Sequence, residues 1–190
     1  MRKIASGAPA PASGSAAAAV VAAAAALVQK VATLSGKHWA EAGAVHDRAE
    51  LIRLRSEELV EEDSLAYLDF VAARRSGQGV DAAQARTVDV PLEIARNAAE
   101  VAAMARELMG KGNPNLGADA SVAWILAGAA AESAALLVIV NVGAGLRDTR
   151  VTEARRLARE ASAPARSPAA PGRSGARDRG RARSADSDRS

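Results

Sequence analysis

Two carboxylates stand where an acid could do chemistry, one of them at a position where it is costly. Ile52, Ser56, Leu59, Asp63, Ala66 and Phe70 recur at alternating spacings of four and three, which puts them on one helix face and sets Asp63 in its apolar stripe. An ionised carboxylate buried there loses its hydration, so it needs an Arg or backbone partner, or a reaction to serve. Asp119 follows the loop Gly110-Lys111-Gly112-Asn113-Pro114-Asn115-Leu116-Gly117 and opens the most hydrophobic stretch of the chain. It fits an N-terminal cap or a carboxylate held at a cleft rim. Acids in clefts do general acid–base work. Lys37 and His38 fit either a contact with an anionic ligand or a solvated helix start. His38 and His46 lie eight apart, without the four-residue spacing or third ligand of a helical metal site, so no metal is expected. The absence of cysteine removes disulfides, thiolate nucleophiles and sulfur-ligated zinc. The glycines form neither a phosphate loop nor a dinucleotide fingerprint.

The elements that must position these groups are helices. Roughly a quarter of the 190 residues are alanine and only four are aromatic, which disfavours the pleated faces of a sheet. The expected fold is all-α, a bundle of about five helices with a disordered basic C-terminal tail. A first helix begins after Pro11-Ala12-Ser13-Gly14, with Ser13 or Ser15 able to cap it, and continues to about Leu34. Its small side chains let other backbones come close, which puts it at the centre. A second spans about 40–75 and ends at Ser76-Gly77. A third spans about 81–109, with Pro91 expected to bend or divide it. The fourth, about 118–142, is apolar on nearly every face and therefore expected to be buried all round. A charged fifth covers about 149–161. Helices one and four present more apolar face than one small bundle covers, which predicts a homodimer packed through them.

The domain expected from this reading is 1–160. Residues 161–190 hold seven Arg and three Asp but no large apolar side chain, so they are expected to be disordered and solubilising, with no specific nucleic-acid partner. Residues 16–28 lie too far from the basic start for a signal peptide. Residues 122–146 are long enough to span a bilayer but contain Glu132 and Asn141. A buried helix, no membrane association and a cytoplasmic location follow as expectations.

Five segments then resemble, in order, one family. They are Ala8-Pro9-Ala10-Pro11-Ala12-Ser13-Gly14-Ser15 before the alanine helix, Glu62-Asp63-Ser64-Leu65-Ala66-Tyr67, Val90-Pro91-Leu92-Glu93-Ile94-Ala95, Gly112-Asn113-Pro114-Asn115 with Asp119, and Val140-Asn141-Val142. Residues 5–146 resemble the cyclodeaminase/cyclohydrolase family, which includes the C-terminal domain of formiminotransferase-cyclodeaminase and bacterial methenyltetrahydrofolate cyclohydrolases. The resemblance implies an all-helical subunit, dimeric or higher, acting on a one-carbon unit bridging N5 and N10 of tetrahydrofolate, with the folate as substrate and no further cofactor. It implies Asp63 as principal acid and Asp119 as the group orienting pterin or water. Ser15, Asn113 and Asn115 become substrate contacts, and Lys37 and His38 partners for the glutamate tail. Without a formiminotransferase domain in the chain, the expectation tips toward the cyclohydrolase. The alternative is a non-catalytic dimer scaffold of the same family that binds a partner through its basic tail.

The chain departs from the family pattern in four places. Ala12 and Ser13 replace two glycines of Pro-Gly-Gly-Gly-Ser, Ala118 replaces the serine before Asp119, the helix before the Pro-rich segment is shorter, and so is the connection from Arg74 to Ala85.

Overall fold

A computed structural model describes residues 2–143 and 148–164. They form α1 (Ser13–Thr33), α2 (Ala42–Ser76), α3 (Val80–Lys111), α4 (Gly117–Val142) and α5 (Thr149–Ser162), with a 3-10 turn at Pro114–Leu116 and no strand among the described residues. Of the tail expected over 161–190, all but its first four residues lie outside the described ones.

Alanine and valine make α1 thin, but the central place expected of it goes to α3, which packs against all four other helices, while α1 keeps an exposed side at Ala23 and Ala26. Val21, Ala24, Ala25, Val28 and Val31 are fully buried, and the helix packs against α2, α3 and α4. Its two flanking helices run antiparallel to it. Ser15 meets Asp63 and Gln29 meets Arg53 on α2, while Lys30 meets Asp119 on α4. The α2 stripe is as spaced: Ile52, Ser56, Leu59 and Ala66 are buried and Asp63 half-buried. α2 stops at Gly77, whose φ of 73° a side chain would disfavour.

Two further expectations are corrected. Of the bend or division expected at Pro91, the division does not occur, and α3 runs unbroken through it for 32 residues. The ring is buried in the core, where packing against neighbouring helices holds the helix together despite one missing backbone bond. Nor is α4 buried all round. Its inward face is Ala120, Ala123, Ala127, Ala130, Ala131 and Ala134, because small side chains let other backbones approach. The larger Val122, Ile125, Leu136 and Val140 are left outside, 47–63% exposed. α1 and the stretch Pro114–Val142 are each long and apolar enough to cross a membrane, and each gives part of its surface to the core.

A four-residue ionic clamp fixes α2 against α3. The Arg55 guanidinium reaches Glu93 at 2.7 and 3.1 Å, Glu62 at 2.6 and 2.9 Å and Glu58 at 2.8 Å. The hydrogen bonds from Arg55 hold the Glu62 carboxyl below its ordinary range. Of the adjacent acids at 62 and 63, Glu62 is therefore committed to structure.

Candidate functional site

The first turn of α1 leaves backbone amides that its own sequence does not satisfy. Neither Ser13 nor Ser15 caps it, and the N-cap is Ala12 with no side-chain bond. The cap comes instead from α2. Ser15 donates to Asp63 Oδ2 from its backbone N–H at 2.8 Å and from its hydroxyl at 3.0 Å. The Ser15 and Ser64 hydroxyls lie 3.1 Å apart, extending the chain of polar contacts. A carboxylate is well placed there, since the helix start carries partial positive charge.

This approach requires Gly14. A Cβ at that residue would lie 1.9 Å from Asp63 Oδ1 and 2.4 Å from Cγ, inside any allowed contact. The two replaced glycines carry no such demand: Ala12 has φ −135° and Ser13 begins the helix, so both positions accept ordinary residues. The substitutions in this loop leave the one constrained glycine in place.

Asp63 lies in the wall of a cavity of about 270 Å³, with Tyr67 on α2, Thr87 on α3, Leu137 and Asn141 on α4, and the 9–14 segment over it. Burial pushes the Asp63 carboxyl up, and the two Ser15 bonds pull it partly back. Both bonds fall on Oδ2, leaving Oδ1 without a partner among the described residues. The result is a carboxylate that is half-buried, oriented and half free, the arrangement that proton transfer needs.

Sequence reasoning pairs Ser15 and Asp63 only through the family resemblance; it misses Thr87 and Leu137, and it quotes Tyr67 and Asn141 among the resembling segments without assigning them to the site. Tyr67 had a signal, lying one turn beyond Asp63 on the same face. Asn141, polar within the apolar run Leu136–Val142, had another.

The remaining predicted residues gather elsewhere. Asp119 lies in the first turn of α4, whose N-cap is Leu116, and pairs with Lys30 at 3.4 Å. Lys30 lies fifteen residues along α1 from Ser15, about 22 Å of helix axis. At that same end Asn113 knits the loop to α1. Its N–H donates to Ser35 Oγ at 2.9 Å, its Nδ2 to the Leu34 carbonyl at 3.3 Å, and its Oδ1 accepts from the Asn115 N–H at 3.0 Å. Lys37 and His38 are exposed in the turn after Ser35. Within one chain the predicted residues thus fall into two groups, Ser15 with Asp63 and the other five at the opposite end of α1. Among the described residues no group of His, Asp or Glu could hold a metal ion.

Ser35 holds the second group together, since its buried hydroxyl also donates to the Val31 carbonyl at 2.7 Å. Ser35→Ala orphans the Asn113 N–H, and chemical denaturation is expected to show a loss of about 1–2 kcal/mol.

None of the curated proteins compared with this sequence matches it. A search of solved structures matches the fold to a formiminotetrahydrofolate cyclodeaminase from Thermotoga maritima, with a TM-score of 0.77 and 24% identity, over 83% of this chain and 85% of that one. The family described as formiminotransferase-cyclodeaminase matches residues 1–161. That span takes in the 9–14 segment, the Asp63 cavity and nearly all of α5, and the chain belongs to the formiminotransferase-cyclodeaminase family.

Proposed function

We propose that the protein transforms the one-carbon unit carried between N5 and N10 of tetrahydrofolate, in the cavity that holds Asp63. The observation that carries this reading is the Asp63 carboxylate itself, half-buried, fixed through Oδ2 and free at Oδ1. Methenyltetrahydrofolate is an amidinium cation, and a carboxylate in a partly desolvated cavity attracts it. Oδ1 then takes a proton from the water that adds to the bridging carbon, and opening of the ring gives formyltetrahydrofolate. In the deaminating reaction N10 attacks the formimino carbon on N5 and ammonia departs, taking a proton from the same group. A carboxyl pushed up by burial suits either direction of transfer.

The test is the loss of methenyltetrahydrofolate absorbance on adding the protein, run beside ammonia release from 5-formiminotetrahydrofolate. Acceleration of neither reaction by folded protein would overturn the proposal and favour a non-catalytic scaffold. Asp119→Asn is expected to change kcat less than about threefold, because its carboxylate lies a whole helix away from Asp63 within one chain. A loss matching that of Asp63→Asn would instead bring the two acids to one site across a subunit boundary.

The working unit we propose is a cytoplasmic homodimer. The support for the dimer is the exposed row Val122, Ile125, Leu136 and Val140 on α4, together with the exposed alanines 23 and 26 of α1. Ile125→Glu places a charge in that face and is expected to shift sedimentation from dimer to monomer. A wild-type monomer at micromolar concentration would refute the dimer.

A further inference from the structure

Pro91 sits in the interior of α3, where a residue with an N–H would donate to the carbonyl of Thr87, four residues back. That bond is absent because proline has no N–H. The Thr87 carbonyl is satisfied from another helix, by Asn141 Nδ2 of α4 at 2.6 Å. Because a carbonyl can only accept, this contact also settles which way round the amide lies. Nδ2 is spoken for. Oδ1, held in the same rigid plane, has no hydrogen-bond partner among the described residues.

Asn141 is also where the cavities meet. It lines the 270 Å³ chamber of Asp63, an adjoining chamber of about 260 Å³ with Tyr67, Phe70 and Thr87, and a third with Asp81, Asp148 and Arg150. The first two also share Tyr67 and Thr87, so these two and Asn141 form the boundary between them. Each is below the ~300 Å³ lower end of small-molecule sites, and a ligand of folate size needs both. The third is less suited to an anionic tail, because Arg150 is already paired with Asp148 and Asp89.

We infer that Pro91 and Asn141 form one positioning device: Pro91 frees the Thr87 carbonyl, the carbonyl locks the Asn141 amide, and Asn141 Oδ1 accepts a hydrogen bond from a pteridine ring N–H at that boundary. The inference rests on the folate reading of the Asp63 cavity and names what turns the ring within it. An acceptor fixed beforehand loses no rotamer freedom on binding, and a pteridine offers N–H donors along its amide edge. Pro91 touches no ligand and acts through Asn141. Replacing it with alanine returns an N–H donor that competes for the Thr87 carbonyl and loosens its hold on Asn141.

The test uses the full chain and 5-formyltetrahydrofolate as probe, with Kd from equilibrium dialysis and Tm measured in parallel. Asn141→Leu is expected to weaken binding about tenfold or more. Pro91→Ala is expected to weaken it roughly three- to tenfold with Tm unchanged or raised, since alanine favours helix interiors. The double variant binds no worse than Asn141→Leu alone. Additive losses, or an unchanged Kd in Pro91→Ala, would overturn the device, and a Kd loss that tracks a fall in Tm would assign Pro91 to structure only. Folded wild-type protein that binds no reduced folate would overturn the parent reading and the ligand half of this one. The link itself has a separate readout in the Asn141 side-chain amide protons, whose downfield NMR shift is expected to disappear in Pro91→Ala.

Discussion

Gly14→Ala is expected to reduce turnover by two orders of magnitude or more while costing the fold only about 1–2 kcal/mol. The two effects part because opposing forces act at one position. Alanine within a helix gains about 1 kcal/mol over glycine, which offsets part of the strain. The new Cβ would sit 1.9 Å from Asp63 Oδ1, and the carboxylate has to swing away, surrendering both bonds from Ser15. The site loses its orientation and the first turn of α1 loses its cap, but the core keeps its packing. The control is a double-mutant cycle. In an Asp63→Ala background nothing opposes the methyl group, and Gly14→Ala is expected to turn neutral or stabilising by about 0.5–1 kcal/mol. Equal destabilisation in both backgrounds would show that the glycine serves something other than the approach of Asp63.

What the sequence disclosed and what it hid divide along a physical line. Helix existence and ends were legible because their causes are local: alanine content, the alternating four and three of the α2 stripe, and the breakers at Ser76-Gly77 and around Asn113. The same stripe singled out Asp63. The answer to that buried acid was not legible, because its partner is a backbone amide 48 residues away. Ser13 and Ser15 read as caps for the same reason, since local patterns carry no trace of a donor or acceptor arriving from another helix. Pro91 read as a kink because its effect on its own helix is local, whereas the use made of the freed Thr87 carbonyl depends on Asn141, 54 residues further on. The even apolarity of α4 concealed which side was which. Side-chain size separates the faces, with alanine inward and Val122, Ile125, Leu136 and Val140 outward. The grouping of Asp63 with Asp119 came from motif order along the chain, and the antiparallel run of α2 and α4 beside α1 sends the two to opposite ends of one subunit.

Asp63→Asn is expected to cost activity at least a hundredfold and yet make the protein more stable at neutral pH. Asparagine keeps an acceptor oxygen for the two Ser15 donors at nearly the same volume, so the cap survives. What disappears is the charge, whose desolvation is the main cause of the raised Asp63 pKa. A carboxyl that holds its proton more tightly when folded favours the native state most at low pH. That advantage is fully present below the unfolded-chain value of about 3.9 and is lost as the pH rises through the raised native value. At pH 7 the wild type therefore carries a penalty that Asp63→Asn lacks. The variant is expected to melt higher there by about 2–4 °C, the span that about 1 kcal/mol produces in a chain of this size. The gap should narrow as the pH falls toward 4. Wild-type turnover runs the other way for a base, increasing with pH through the same raised value, with the residual rate in Asp63→Asn independent of pH. Melting curves and rates collected across pH 4–8 would read both from one pair of proteins. A variant less stable at pH 7, with activity retained, would mean that Asp63 is held charged for the sake of the helix and not for the chemistry.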